Sequence, residues 1–285
     1  MTAHREPATA TTFTEPLLAW YRRERRDLPW RRTRDPYLLL VSEVMLQQTQ
    51  VARAVDRYGA FVSRFPTARA LAAAAPADVL VAWSGLGYNR RALALQRAAR
   101  AVVREGWPRD AAGLRRLPGV GPYTAAAVAS FAWNEPVPAI DTNVRRVVER
   151  VDRRRRAPVA VARRVARLLP RSRAAAFNQA MMELGATVCT ARAPACERCP
   201  VASTCRSRGL PDPSGWRRRA PRPRFEETDR YLRGRVVAAL VTGAGETPHA
   251  IENERMRRVL DGLERDGLVV RRNGRLALPG AARFR

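Results

Sequence analysis

Apolar residues recur at helical spacing from Phe13 to about Arg206, with short breakers between the runs and almost none of the period-two alternation that marks a strand. The pattern predicts an all-helical region. One helix opens at Asp35-Pro36, a capping side chain followed by the residue suited to the first helical position, and runs through Tyr37-Leu-Leu-Leu-Val-Ser-Glu-Val-Met-Leu-Gln-Gln-Thr49. Others are predicted over 52–65, 77–83 and 90–105, on both sides of Leu117-Pro-Gly-Val-Gly-Pro122, after Thr142, and over 172–184. The alanine run 70–75 reads as a helical surface segment with no chemistry of its own.

After Arg206 the apolar period disappears into prolines and the cluster Arg217-Arg-Arg-Ala-Pro-Arg-Pro-Arg224, the composition of a linker. Beyond it helices are predicted over 229–241 and 253–266, the second stopped by Gly267. Leu268-Val-Val, the turn pair Asn273-Gly274 and Leu276-Ala-Leu then predict a hairpin. Two helices and a hairpin have the pattern of a small winged-helix module, and an appendage packed on the first region fits equally well. The expected organisation is a disordered tail 1–14, a helical region 15–206, a linker 207–224 and a small α+β module 225–285.

Charge changes the picture. The chain has 285 residues and carries 53 basic against 26 acidic side chains, a net +27, and every basic one is arginine. Without lysine, chemistry that needs a side-chain Schiff base or a lysine base is excluded. Planar guanidinium groups suit phosphate, so the partner expected is a polyanion such as DNA. Residues 1–14 lack the apolar stretch of a signal peptide, and no apolar run approaches the roughly 20 residues that cross a bilayer. All four cysteines fall between Cys189 and Cys205, which fits a reducing, cytoplasmic setting.

Those cysteines stand as Cys189-x6-Cys196-x2-Cys199-x5-Cys205, a metal-site spacing. Tetrathiolate zinc usually pairs two short knuckles and this array has only one, whereas a [4Fe–4S] cluster accepts the wider spacing. The string Leu117-Pro-Gly-Val-Gly121 between helices permits a tight hairpin whose backbone N–H groups could cradle a phosphate; a plain structural turn is the alternative. Glu43 lies among Leu39, Leu40, Val44, Met45 and Leu46, which places it at least partly out of water, where a raised pKa would keep it protonated as a general acid, or where Arg31 could pair with it. Asp141, at a loop-to-helix junction, reads either as a cap or as a carboxylate kept ionised by the helix N-terminus. One neutral and one charged carboxyl is the pairing that glycosidic bond cleavage requires.

Taken together, Leu28-Pro-Trp-Arg31, Ser42-Glu-Val-Met-Leu-Gln-Gln-Thr-Gln50, Gly85-Leu-Gly-Tyr88, Leu117-Pro-Gly-Val-Gly-Pro-Tyr-Thr124, Asp141-Thr-Asn-Val144 and the cysteine array resemble the MutY-type adenine DNA glycosylases of the helix-hairpin-helix, endonuclease III superfamily. The resemblance covers roughly 15–206. It implies a mainly α, two-lobed fold, a six-helix lobe over about 31–134 and a cluster lobe of 15–30 with 135–206, with a [4Fe–4S] cluster held by Cys189, Cys196, Cys199 and Cys205. It implies a monomeric enzyme that removes adenine opposite 8-oxoguanine or guanine in double-stranded DNA. Glu43 would protonate the flipped adenine, Asp141 would stabilise or capture the sugar cation, and Tyr123 and Asn143 would support them. Arg31, Gln48, Tyr88, Gly119, Val120 and Gly121 would contact DNA, with Gln48 and Tyr88 pushing into the stack beside the oxidised guanine. An endonuclease III-type enzyme for oxidised pyrimidines would cleave the backbone through a lysine at the position of Tyr123; a non-catalytic iron–sulfur DNA-binding protein would leave Glu43 and Asp141 unexplained. The segment 225–285 is smaller than the Nudix-like domain usual in the family and lacks its glutamate motif.

Overall fold

The computed structural model describes residues 9–210, 223–243, 254–272 and 275–281. In chain order the helices are α1 (Glu15–Glu24), α2 (Pro36–Leu46), α3 (Val51–Arg64), α4 (Ala68–Ala73), α5 (Pro76–Ala82), α6 (Arg90–Glu105), α7 (Ala111–Leu114), α8 (Pro122–Trp133), α9 (Thr142–Val151), α10 (Pro158–Leu168), α11 (Ala174–Thr187), α12 (Asp229–Thr242) and α13 (Glu254–Arg265). Two short strands, β1 (Val270–Arg272) and β2 (Arg275–Ala277), pair antiparallel with Val270 opposite Ala277. The fold is mainly α, as the apolar spacing requires, and no described helix is long and apolar enough to cross a membrane.

Contacts divide the described chain into two compact units. The first takes its residues from 1–39, 108–116 and 120–220. Its core joins Leu17, Leu18 and Tyr21 of α1 to Val144, Val147 and Val148 of α9 and to Phe177, Met181 and Leu184 of α11, with cysteine-loop residues packed against it. This unit includes α8, which the sequence expectation assigned to the other lobe. The reason is that α8 is apolar all round: residues 124–131 are all buried, and it packs on α7 and α11. The expected tail also shortens, because residues 10–14 form a π-helical turn leading into α1. Phe13 enters the core, and buried Thr14 donates from Oγ1 to the Leu168 carbonyl at 2.8 Å.

The second unit takes its residues from 40–107, 117–119 and 221–285. Helix α3 buries Ala54, Tyr58 and Phe61, spaced one helical turn apart. The alanine-rich α4 is more than a surface segment: Leu71 is fully buried and α4 packs on α6, where Gln96 Nε2 donates to the Leu71 and Ala74 carbonyls at 3.2 and 2.7 Å. In the C-terminal module, α12 buries Val236 and Val237, and α13 buries Met256, Val259 and Leu263. Gly267 has φ 67°, which serves as the stop the sequence predicted. The order helix, helix, hairpin matches the expected pattern, although the Asn273-Gly274 turn lies outside the described residues and the winged-helix likeness extends no further than that order. The module docks on the helical part of its unit, where Ala77 N donates to the Pro279 carbonyl at 2.9 Å.

Candidate active site

Asp141 is positioned by a polar scaffold within the first unit. The chain approaches it as Val137-Pro-Ala-Ile, a segment whose backbone groups are answered by one buried side chain. Asn178 of α11 donates from Nδ2 to the Val137 carbonyl and to Ser130 Oγ, both at 2.9 Å, and its Oδ1 accepts from Ala139 N at 3.1 Å. Asp141 then caps α9: Oδ1 accepts from Val144 N at 2.7 Å, and Oδ2 accepts from Asn143 Nδ2 at 2.8 Å. Asn143 is oriented in turn by Arg146, whose Nη2 donates to Asn143 Oδ1 at 2.8 Å while Nε donates to the Cys189 carbonyl at 2.8 Å. A Cβ on Gly185 would stand 2.6 Å from Asn143 Cβ, so only glycine lets α11 approach α9 here. Burial pushes the Asp141 carboxyl above its ordinary range, while the Val144 and Asn143 donors and Arg146 pull it down. The helix N-terminus therefore moderates a desolvation penalty instead of setting a low pKa. Asn143 supports Asp141 directly, whereas the Tyr123 hydroxyl donates to Met182 Sδ at 3.5 Å.

Arg31 is turned inward. Its Nη2 lies 2.6 Å from Glu183 Oε2, its Nη1 donates to the Arg26 carbonyl, and Arg26 also pairs with Glu183 at 2.8 Å. Glu183 is fully buried, and although burial opposes its charge, the two guanidinium groups hold its carboxyl at about 2. The alternative in which Arg31 pairs with Glu43 is thereby replaced by a structural ion pair, and the guanidinium expected at DNA is committed to the fold.

Glu43, in the second unit, sits on the part of α2 that carries Leu40, Val44 and Met45, each nearly inaccessible; Glu43 is itself 3% exposed and its Oε2 is fully enclosed. Arg91 of α6 closes the C-terminal end of this helix. Its Nη1 donates to the Val44, Met45 and Gln47 carbonyls at 2.8, 3.1 and 2.5 Å. Its Nη2 reaches Thr49 Oγ1, the Leu86 carbonyl and the Gly87 carbonyl at 3.2, 3.1 and 3.0 Å. One guanidinium thus ties the loop carrying Gln48 to the loop carrying Tyr88, and burial pulls it down to about 10. Both residues are exposed and take left-handed backbone angles, φ 55° and 49°, which cost about 1–3 kcal/mol each in a non-glycine residue. Sequence reading missed Arg91, Arg146, Asn178 and Gly185.

In the hairpin, Gly119 has φ 77° and a Cβ there would lie 2.7 Å from Ala94 Cβ, so backbone and packing both demand glycine. Gly121 has φ −83° and open space where its Cβ would be; neither constraint applies, and the space outside the α8 N-terminus stays clear. Val120 is buried, which leaves only its backbone for an external contact.

The four cysteines line one cavity of about 240 Å³. Among the described residues no three His, Cys, Asp or Glu side chains converge closely enough for a single ion. A larger body fits: the thiols surround a shared space, and buried Arg150 donates to Cys189 Sγ at 3.5 Å and to the Thr190 carbonyl at 2.6 Å. Burial pushes the Cys199 thiol to about 12 and Cys205 upward, so thiolates here need a positively charged partner.

Residues 41–171 match the HhH-GPD superfamily of base excision DNA repair proteins, and residues 189–205 match the iron-sulfur binding domain of endonuclease III. The cofactor is a [4Fe–4S] cluster. An adenine DNA glycosylase of Mycolicibacterium smegmatis is 47% identical over 280 residues, covering 93% of this chain and 95% of that one. The human adenine DNA glycosylase is 45% identical over 222 residues, 72% of this chain and 41% of the human one. Among solved structures, a thermostable thymine-DNA glycosylase superposes with a TM-score of 0.64 at 29% identity, over 69% of this chain and 94% of that one. A trapped endonuclease III–DNA covalent intermediate does so with a TM-score of 0.60 at 25% identity, over 70% and 96%. The chain belongs to the adenine DNA glycosylase family, within the HhH-GPD superfamily of base excision DNA repair proteins.

Proposed function

We propose that the chain, as a cytoplasmic monomer, hydrolyses the N-glycosidic bond of adenine mispaired with 8-oxoguanine or guanine in double-stranded DNA. The observation that carries this reading is the contrast between its two carboxyl groups. Glu43 is enclosed among apolar side chains, a position from which a carboxylic acid can deliver a proton to the leaving base. Asp141 is surrounded by donors that sustain a charge opposite the oxocarbenium-like sugar. The C–N bond breaks with its electron pair leaving on the protonated base. A water oxygen then joins the sugar carbon and releases a proton, so the sum is hydrolysis. Asn143 orients Asp141, and Tyr123 lines the same unit. The adenine must leave the stack to be reached, and Gln48 and Tyr88, presented on strained turns, fill the vacated space. The backbone of Gly119, Val120 and Gly121 receives phosphate at the open N-terminus of α8.

Cys189, Cys196, Cys199 and Cys205 would hold the cluster, whose iron ions would supply the positive charge that four half-buried thiolates need. Endonuclease III-like strand cleavage is disfavoured by the chain itself: no lysine exists to condense with the abasic sugar, and Tyr123 occupies the relevant position. The test is excision on duplexes that differ only in the base opposite adenine. Preference for 8-oxoguanine, with an abasic strand that breaks only on alkali and no borohydride-trapped complex, is expected. Equal excision opposite every base, or efficient trapping, would overturn the reading.

A further inference from the structure

A second guanidinium reaches Tyr88 from the C-terminal module. Arg230, in the first turn of α12, has its Cζ 5.1 Å from the Tyr88 ring centroid and 4.9 Å from that of Phe225, and its Nη1 donates to the Tyr88 hydroxyl. Arg91 lies against the same ring at 5.4 Å and against Trp83 at 5.3 Å. Rings and cations therefore alternate from buried Trp83 through Arg91, Tyr88 and Arg230 to exposed Phe225. The neighbouring arginine on α12, Arg233, is committed elsewhere, to Asp266. Among the described residues Arg230 makes no ion pair, and its side chain rests on the rings of Tyr88 and Phe225. Its place is fixed by docking: Ala77 N holds the Pro279 carbonyl, and Gly280, at φ 74°, passes so close to Pro76 that an added Cβ would lie 3.0 Å from the proline ring. The same face borders a cavity of about 570 Å³ that Gln48, Arg53 and Gly87 share with Val237 and Leu268.

We infer that Arg230 is a positioning residue: with Arg91 it fixes the Tyr88 ring, so the module sets how well the enzyme distinguishes the base opposite adenine. The module thereby gains a part in specificity through one side chain placed on a residue of the helical region. The inference rests on Tyr88 contacting the strand opposite adenine, as proposed above.

The experiment uses the full chain and measures single-turnover excision and dissociation constants on duplexes carrying adenine opposite 8-oxoguanine or guanine. Wild type, Arg230→Ala, Arg230→Lys, Tyr88→Ala and the double alanine variant are compared. Arg230→Ala should lower the preference for 8-oxoguanine about two- to five-fold, the value of a partly exposed cation–π contact. Lysine, which keeps charge without the planar stack, should restore part of it. In the Tyr88→Ala background Arg230→Ala should change nothing further. The thermal midpoint should stay at the wild-type value, because Arg230 is exposed. If Tyr88→Ala lowers the preference while Arg230→Ala does not, or if Arg230→Ala weakens all duplexes equally, the inference is overturned and the Tyr88 assignment stands. If Tyr88→Ala itself leaves the preference intact, that assignment fails and the inference falls with it.

Discussion

The Asp141 junction and the loops carrying Gln48 and Tyr88 are both held by polar side chains, but in different ways. At Asp141 the support is a relay of short links within one unit: Asn178 fixes the approach, Asp141 caps α9, Asn143 touches Asp141, and Arg146 touches Asn143. At the loops one arginine answers six acceptors from two separate segments, and a second arginine arrives from the end of the chain. A relay fixes one carboxylate to within a hydrogen bond. A hub fixes two strained backbones relative to each other and lets a distant module act on them. On the proposed function, chemistry and discrimination rest on separable devices, and substitutions should separate them.

Among substitutions that tell the two devices apart, the largest effect is expected from Asp141→Asn, which keeps a cap but removes the charge: single-turnover excision should fall by about 10²- to 10⁴-fold. Circular dichroism melting should show the fold retained, and unfolding instead would make capping the main role of Asp141. Next comes Arg91→Met, which strands several backbone carbonyls and should cost about 2–4 kcal/mol in urea unfolding, with 8-oxoguanine preference reduced beyond the effect of Arg230→Ala. Retained preference would mean that the loops hold themselves. Gly185→Ala pushes a methyl against Asn143, and about 1–3 kcal/mol of overpacking should accompany slower excision with preference unchanged.

The smallest effect concerns acid. Glu183 titrates at about 2 in the fold against an ordinary 4.5, so its ion pairs stabilise the protein above pH 4.5 and that contribution is lost as pH falls toward 2. In Arg31→Met the carboxyl should be less depressed, so urea midpoints between pH 6 and 2.5 should fall less than in wild type and level off at a higher pH. Superimposed profiles would show that Arg26 alone holds Glu183.

The same contrast explains what the sequence made legible. Glu43 and Asp141 stood out because their surroundings are local: an apolar run on one helix, and a junction followed at once by helical residues. Gly119 and the cysteines announced themselves by spacing. Arg91 and Arg146 did not, since nothing local separates them from the other arginines, and their partners lie more than forty residues away in the chain for the Arg91 contacts with Val44 and the Arg146 contact with Cys189. Arg31 misled for the same reason: its partner Glu183 comes from the far end of the helical region.

The central claim is that Glu43 is the proton donor, and it is tested most directly by single-turnover excision with Glu43→Gln on an adenine:8-oxoguanine duplex, with the dissociation constant measured in parallel. The amide preserves shape and cannot deliver a proton, so excision should be abolished while lesion binding stays within a few-fold of wild type. Near-normal turnover in Glu43→Gln would contradict the account.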